Sequence, residues 1–230
     1  EISGTGSVTK SGTGAWVLTS AANSFTGGTI MSAGTMTVNS GALLADATGA
    51  LTVNGGTLNF NNAAQTVASL NGSGGTLNLG SGNTLTVNTT GTDSFAGVLG
   101  GSGQLLKSGA GSLTFSGTNT YTGATTINAG TVSVATIGNG GVAGNLGAAT
   151  TAAGNLVLGS GTLRYTGTTA STNRNFTLTA GTTNTFDVST GGTNLTLSGA
   201  STNTTGALTK IGAGTLTLSG ANLYTGLTTV

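Results

Sequence analysis

The sequence predicts an all-β chain coiled as a right-handed parallel β-helix, a solenoid of about 20 residues per coil. Three observations lead there. A five-residue unit, Gly-[Thr/Ser/Ala]-apolar-x-apolar, returns along the chain, and self-similarity at periods of about 20 to 50 residues is the mark of stacked repeats. Within each unit apolar and polar residues alternate, the period of a half-buried strand. No window carries the i, i+3, i+4, i+7 apolar spacing and caps of a helix, so nothing helical is available to cross between parallel strands.

The units run in order as Gly14–Leu18, Gly34–Val38, Gly56–Phe60, Gly75–Leu79, Gly111–Phe115, Gly130–Val134, Gly161–Tyr165 and Gly214–Leu218. The first units, through Gly130, start roughly 20 residues apart, and the wider step from Gly75 to Gly111 reads as two coils. Alternation predicts that Leu58, Leu77, Leu113, Leu163 and Leu216 point inward, while Thr57, Thr76 and Thr215 point outward. Glycine pairs such as Gly55-Gly56 and Gly74-Gly75 supply positive-φ turns between strands. Ile137–Ala153, rich in Gly and Ala, interrupts the period and reads as a loop. The expected whole is one continuous helix over 1–230, of about ten to twelve coils and roughly 50 Å at about 4.8 Å per coil.

Stacking also explains the composition. Glycine supplies 44 of 230 residues, charged residues only 4 %, and Pro, Cys and His are absent. Ordinary domains carry about 25 % charged residues. Stacked Lys or Glu would repel along a column, whereas Thr and Asn form hydrogen-bonded ladders, and Pro would remove a ladder donor. The competing reading of so much Gly, Ser, Thr and Asn is a disordered linker. Disorder pairs low hydrophobicity with high net charge, but this chain has a mean hydropathy of +0.22 and a net charge of +1.

A longer period lies above the coil. Lys107–Ile127 matches Lys210–Val230 at 14 of 21 positions, and Lys10–Ile30 is a weaker third copy. The three lysines recur about every 100 residues, or roughly five coils. The super-repeats fall at about 1–100, 101–203 and, partially, 204–230.

Composition narrows the function. Near-zero net charge leaves no basic stripe for nucleic acid, and no run of about 18 apolar residues is present to insert in a membrane. Without cysteine there is no disulfide framework or thiolate metal site. The carboxylates are Glu1, Asp46, Asp93 and Asp187. The aspartates are spaced two or more coils apart, too far to converge as glycosidase or calcium sites require. Arg164 and Arg174 are read as having no nearby carboxylate. No residue is assigned to catalysis, to a cofactor or to a metal. Trp16, Tyr121, Tyr165 and Tyr224 either stack on sugar rings or fill coil corners, and their isolation favours corners. Lys10, Lys107 and Lys210 are expected on solvated turns, guarding against sideways pairing. Thr-x-Thr pairs such as Thr35/Thr37 and Thr84/Thr86 raise ice binding, against which the irregular spacing of the units argues.

The segments Leu208–Val230 and Lys107–Val134 carry Lys-x-Gly-Ala-Gly-[Thr/Ser]-Leu-Thr-[Leu/Phe]-Ser-Gly-x-Asn-x-Tyr-Thr-Gly-x-Thr-Thr. This pattern resembles the autotransporter-associated β-strand repeat, also called the passenger-associated transport repeat. The copy from Lys10 departs from it, with Trp16 for Leu and Phe25 for Tyr. The resemblance implies a β-helical passenger displayed on the outer surface of Gram-negative bacteria. It further implies a structural stalk or fibre segment of an adhesin rather than an enzyme. A ligand-binding β-helix, for ice or polysaccharide, is the alternative. Axial continuation or head-to-tail self-association, an unidentified surface polysaccharide or host target, and an extracellular or cell-surface location complete the expectation.

Overall fold

The computed structural model describes every residue except 43, 45, 46, 62 and 63; Asp46, one of the four carboxylates, lies outside the described residues. The chain forms a parallel β-solenoid of about ten turns with three faces visited in fixed order. The first face holds Val8–Lys10, Thr29–Met31, Ala50–Val53 and Ser69–Asn71, then Thr92–Phe95, Ser112–Phe115, Thr131–Val134, Thr162–Tyr165, Thr183–Val188, Ala207–Ile211 and Thr228–Thr229. The second holds Ala15–Leu18, Thr35–Val38, Thr57–Phe60, Thr76–Leu79 and Val98–Gly101, and later Ala170–Thr172, Asn194–Leu197 and Thr215–Leu218. The third holds Gln65–Val67, Thr84–Val87, Gln104–Lys107, Thr125–Ile127, Leu156–Leu158 and Thr177–Leu178.

Every strand pairing is parallel and joins consecutive coils, as Leu58↔Leu77 does on the second face and Leu113↔Val132 on the first. Such short strands suffice because nearly all are paired on both sides and bury alternate residues. Met36, Leu58, Leu77 and Leu99 make one fully buried column, and Phe95, Phe115, Val134, Tyr165 and Val188 another. Phe95 and Phe115 meet edge to face at 6.4 Å, a favoured aromatic geometry. Four of the five leucines expected inward are buried; Leu216, on the last turn, is half-buried against the same core. Thr57 and Thr76 are half-buried on the outer side, and Thr215 is exposed.

Corners rather than strands absorb differences in coil length. Thr131↔Thr162 closes a much longer coil than Thr57↔Thr76, yet the two pairs stack equally in register. The extra residues of the longer coil form the excursion expected at 137–153. It takes the place of a second-face strand, which the preceding coil around Asn119 also lacks, and these two coils divide that face into sheets of five and three strands.

Where the backbone ladder breaks, buried polar side chains carry the bonds. Between Ser69–Asn71 and Thr92–Phe95, Asp93 accepts from Leu70 N at 2.8 Å and from Asn71 Nδ2 at 3.2 Å. On the second face Asn119 accepts from Leu99 N at 2.8 Å and donates to Asn145 O at 2.8 Å. Leaving such groups unpaired would cost about 1–3 kcal/mol each.

Candidate functional site

The chemistry-bearing groups are few, and the fold disperses them. Among the described residues no three His, Cys, Asp or Glu side chains approach closely enough to hold a metal ion. Asp93 is buried with both oxygens bonded as above. Asp187 lies one rung from Arg164 on the first face, with Arg164 Nε donating to Asp187 Oδ2 at 2.6 Å. This corrects the expectation that Arg164 lacks a carboxylate. One full coil separates the two in the sequence, and stacking of that coil makes them neighbours.

Arg174 is the other arginine, and it is buried among backbone carbonyls. Its Nε donates to Gly138 O at 2.9 Å, Nη1 to Ala149 O at 3.2 Å, and Nη2 to Gly147 O at 2.7 Å and Val142 O at 3.4 Å. Burial lowers its pKa from the ordinary arginine value, partly opposed by nearby Tyr121. The guanidinium thereby gathers the whole 138–149 excursion onto the body. Asn145 ties the base, accepting from Ala135 N and Thr136 N and donating to Gly117 O.

Lys10 and Lys107 are not on solvated turns, whereas Lys210 is half-buried with its ammonium at an exposed turn. Lys107 is fully buried and Lys10 is 9 % exposed. Each stands in an inward column: Lys10 beside Met31, Lys107 between Val87 and Ile127, Lys210 beside Phe186. The ammonium turns into the corner and donates to backbone carbonyls. Lys10 reaches Gly12 O and, at 3.2 Å, Ala33 O; Lys107 reaches Gly109 O and, at 3.4 Å, Ala129 O. Lys210 reaches Ile211 O and Gly212 O, both at 2.8 Å. Burial lowers the Lys107 pKa, and Asp93 opposes that shift. The sequence held the signal. Lys107 shares strand parity with Leu105, and Lys210 with Leu208, so period-two reading already turns both inward.

Of the aromatic candidates, Tyr121 is fully buried and Tyr165 nearly so, which removes both from stacking on a sugar. Tyr121 Oη bonds Thr125 Oγ1 at 2.5 Å, and burial pushes its pKa up to about 12. Tyr165 Oη donates to Thr168 O at 2.6 Å, and burial raises its pKa too. Trp16 and Tyr224 are half-buried against the core.

What faces solvent is an ordered polar surface. On the first face Thr92, Ser112, Thr131, Thr162, Thr185, Thr209 and Thr229 stand in one register column. On the second, Thr37, Asn59 and Asn78 form another, with Asn78 Nδ2 donating to Asn59 Oδ1 at 2.9 Å.

Comparison with known proteins now bears on this geometry. The passenger-associated-transport-repeat family matches residues 8–45, 105–134 and 208–230. Three segments of the chain are thus similar to the passenger-associated transport repeat. Over 125 residues it is 50 % identical to the adhesin BmaC autotransporter of Brucella suis biovar 1 (strain 1330). That match covers 54 % of this chain and 4 % of the far longer adhesin. No solved structure matches the chain. The repeats coincide with the lysine-bearing coils, and their shared residues include both inward positions and outward ones such as Thr114, Ser116 and Thr122. Lys107, Leu113, Asn119, Tyr121 and Thr125 are all buried. The buried part of the pattern is a packing rule for one turn of the solenoid.

Proposed function

We propose that this chain is a non-catalytic β-solenoid shaft within a bacterial surface-displayed passenger of the adhesin type. The observation that carries the reading is the axial stack of parallel coils, in which coils of unequal length keep one register. Such a body is stable along its length and offers a rigid spacer. Likeness to part of an adhesin autotransporter supports the surface location and the structural role. Antibody raised against the chain should label intact cells from outside. Labelling only after the outer membrane is permeabilised would contradict the reading.

Axial continuation or head-to-tail association belongs to the same proposal. Sedimentation of the purified chain, with electron microscopy of native material, tests association between copies; a monomer at all concentrations would remove that route.

A second reading is favoured by one observation. The irregular spacing that argues against a regular ligand-binding face is taken up in the corners, so the seven hydroxyls of the first face remain in register. A periodic ligand, ice or an extended polysaccharide, would meet such a column. Thermal hysteresis or retention on a polysaccharide matrix by the purified chain would support it; neither is expected of a bare shaft.

A further inference from the structure

We propose that Lys10 and Lys107 fix the register in which their coils stack on the next. The strands of this chain are nearly interchangeable. Thr-Leu-Asn-Leu, Thr-Leu-Thr-Val and Thr-Leu-Thr-Leu all place apolar residues inward and small polar ones outward. A slip of one residue would turn every side chain to the wrong face, but a slip of two would preserve the pattern. Register is therefore weakly specified by hydrophobicity alone.

The lysine removes that degeneracy. Its ammonium is bonded both within its own corner and to the following coil, at Ala33 O for Lys10 and Ala129 O for Lys107. Shifted two residues against the following coil, Lys107 would keep Gly109 O of its own corner and lose Ala129 O. A buried charge that loses a partner is strongly disfavoured. Shape does not require lysine here, since Met31 fills the equivalent inward position one coil after Lys10 and Ile127 one coil after Lys107. Nor does a common outer surface require it. Lys10 and Lys210 end on the first face and Lys107 on the third, so the three copies share a corner environment and no shared side of the molecule. The fit is close. A Cβ on Gly34 or Gly130, in the covering turns, would collide with the corner carbonyls, and on Gly34 with the ammonium itself.

The chain has no cysteine, so introduced pairs report register cleanly. Leu106→Cys with Thr126→Cys marks the native rung, and Leu106→Cys with Asn128→Cys marks a slip of two. After refolding, Lys107→Met is expected to retain the β content and raise the slipped disulfide about tenfold relative to the lysine chain, a discrimination of roughly 1.4 kcal/mol. Lys10→Met provides the second case, read by Thr9→Cys with Ile30→Cys for the native rung and with Ser32→Cys for the slip. If both variants form only the native disulfide, the proposal is overturned. It is equally overturned if both fail to fold, because the lysine would then act on stability rather than on register.

Discussion

Phe25, Tyr121 and Tyr224 occupy one place in the three repeats, and a single hydroxyl separates them. Tyr121 bonds Thr125 and Tyr224 bonds Thr228, at 2.5 and 2.9 Å. Phe25 has no hydroxyl to give, and Thr29 Oγ1 is buried without a hydrogen-bond partner among the described residues. Phe25→Tyr should restore the pair and stabilise the chain by about 1 kcal/mol, read as a shift in denaturant midpoint at unchanged slope. Tyr121 also sets an alkaline limit. Its pKa rises from 10.0 unfolded to about 12 folded, so between those values the unfolded chain has released a proton the folded chain retains. The contribution is fully present below pH 10 and is lost as pH rises through about 12, by roughly 2–3 kcal/mol. Tyr121→Phe should flatten this part of a stability-against-pH profile. The sequence displayed Phe25 as a departure from the repeat. It could not display the orphaned threonine, because that depends on which hydroxyl the corner brings within reach.

At the scale of the element, strands were legible and the excursion only partly so. Two-residue alternation and glycine spacing place Thr57–Phe60 and Thr76–Leu79 without reference to anything distant. The Gly- and Ala-rich run from Ile137 reads as a loop, but nothing local tells that it is held. Its anchor, Arg174, lies about a coil or more along the chain from every carbonyl it binds. Arg174→Met removes all four bonds while keeping a long apolar stem. Limited proteolysis of that variant is expected to cut between Gly138 and Ala149 at least about tenfold faster than in the parent chain, with the strands on either side protected. Equal cleavage rates would show that the remaining bonds, from Asn119, Asn145, Thr172 and Asn173, hold the segment without the guanidinium.

Taken whole, the molecule is quasi-one-dimensional: each coil touches its neighbours, and damage should stay local. Leu58→Ala empties a site fully buried between Met36 and Leu77, at a cost of about 2–5 kcal/mol. Hydrogen exchange should rise in the adjoining coils and leave those around Leu163 unchanged. The coil period was legible because most corners are short. The irregular intervals obscured that register is kept throughout, since length differences go into corners that make no rung. That constancy of rise is the central claim, and spin-label distances test it most directly. With one label at Thr229 and the other in turn at Ser112, Thr131 and Thr162, the pairs are five, four and three rungs apart. Both steps, across the short coil and across the long one, should shorten the distance by about 4.8 Å, from roughly 24 to roughly 19 to roughly 14 Å. A second step clearly larger than the first, following the number of residues rather than the number of coils, would contradict the account.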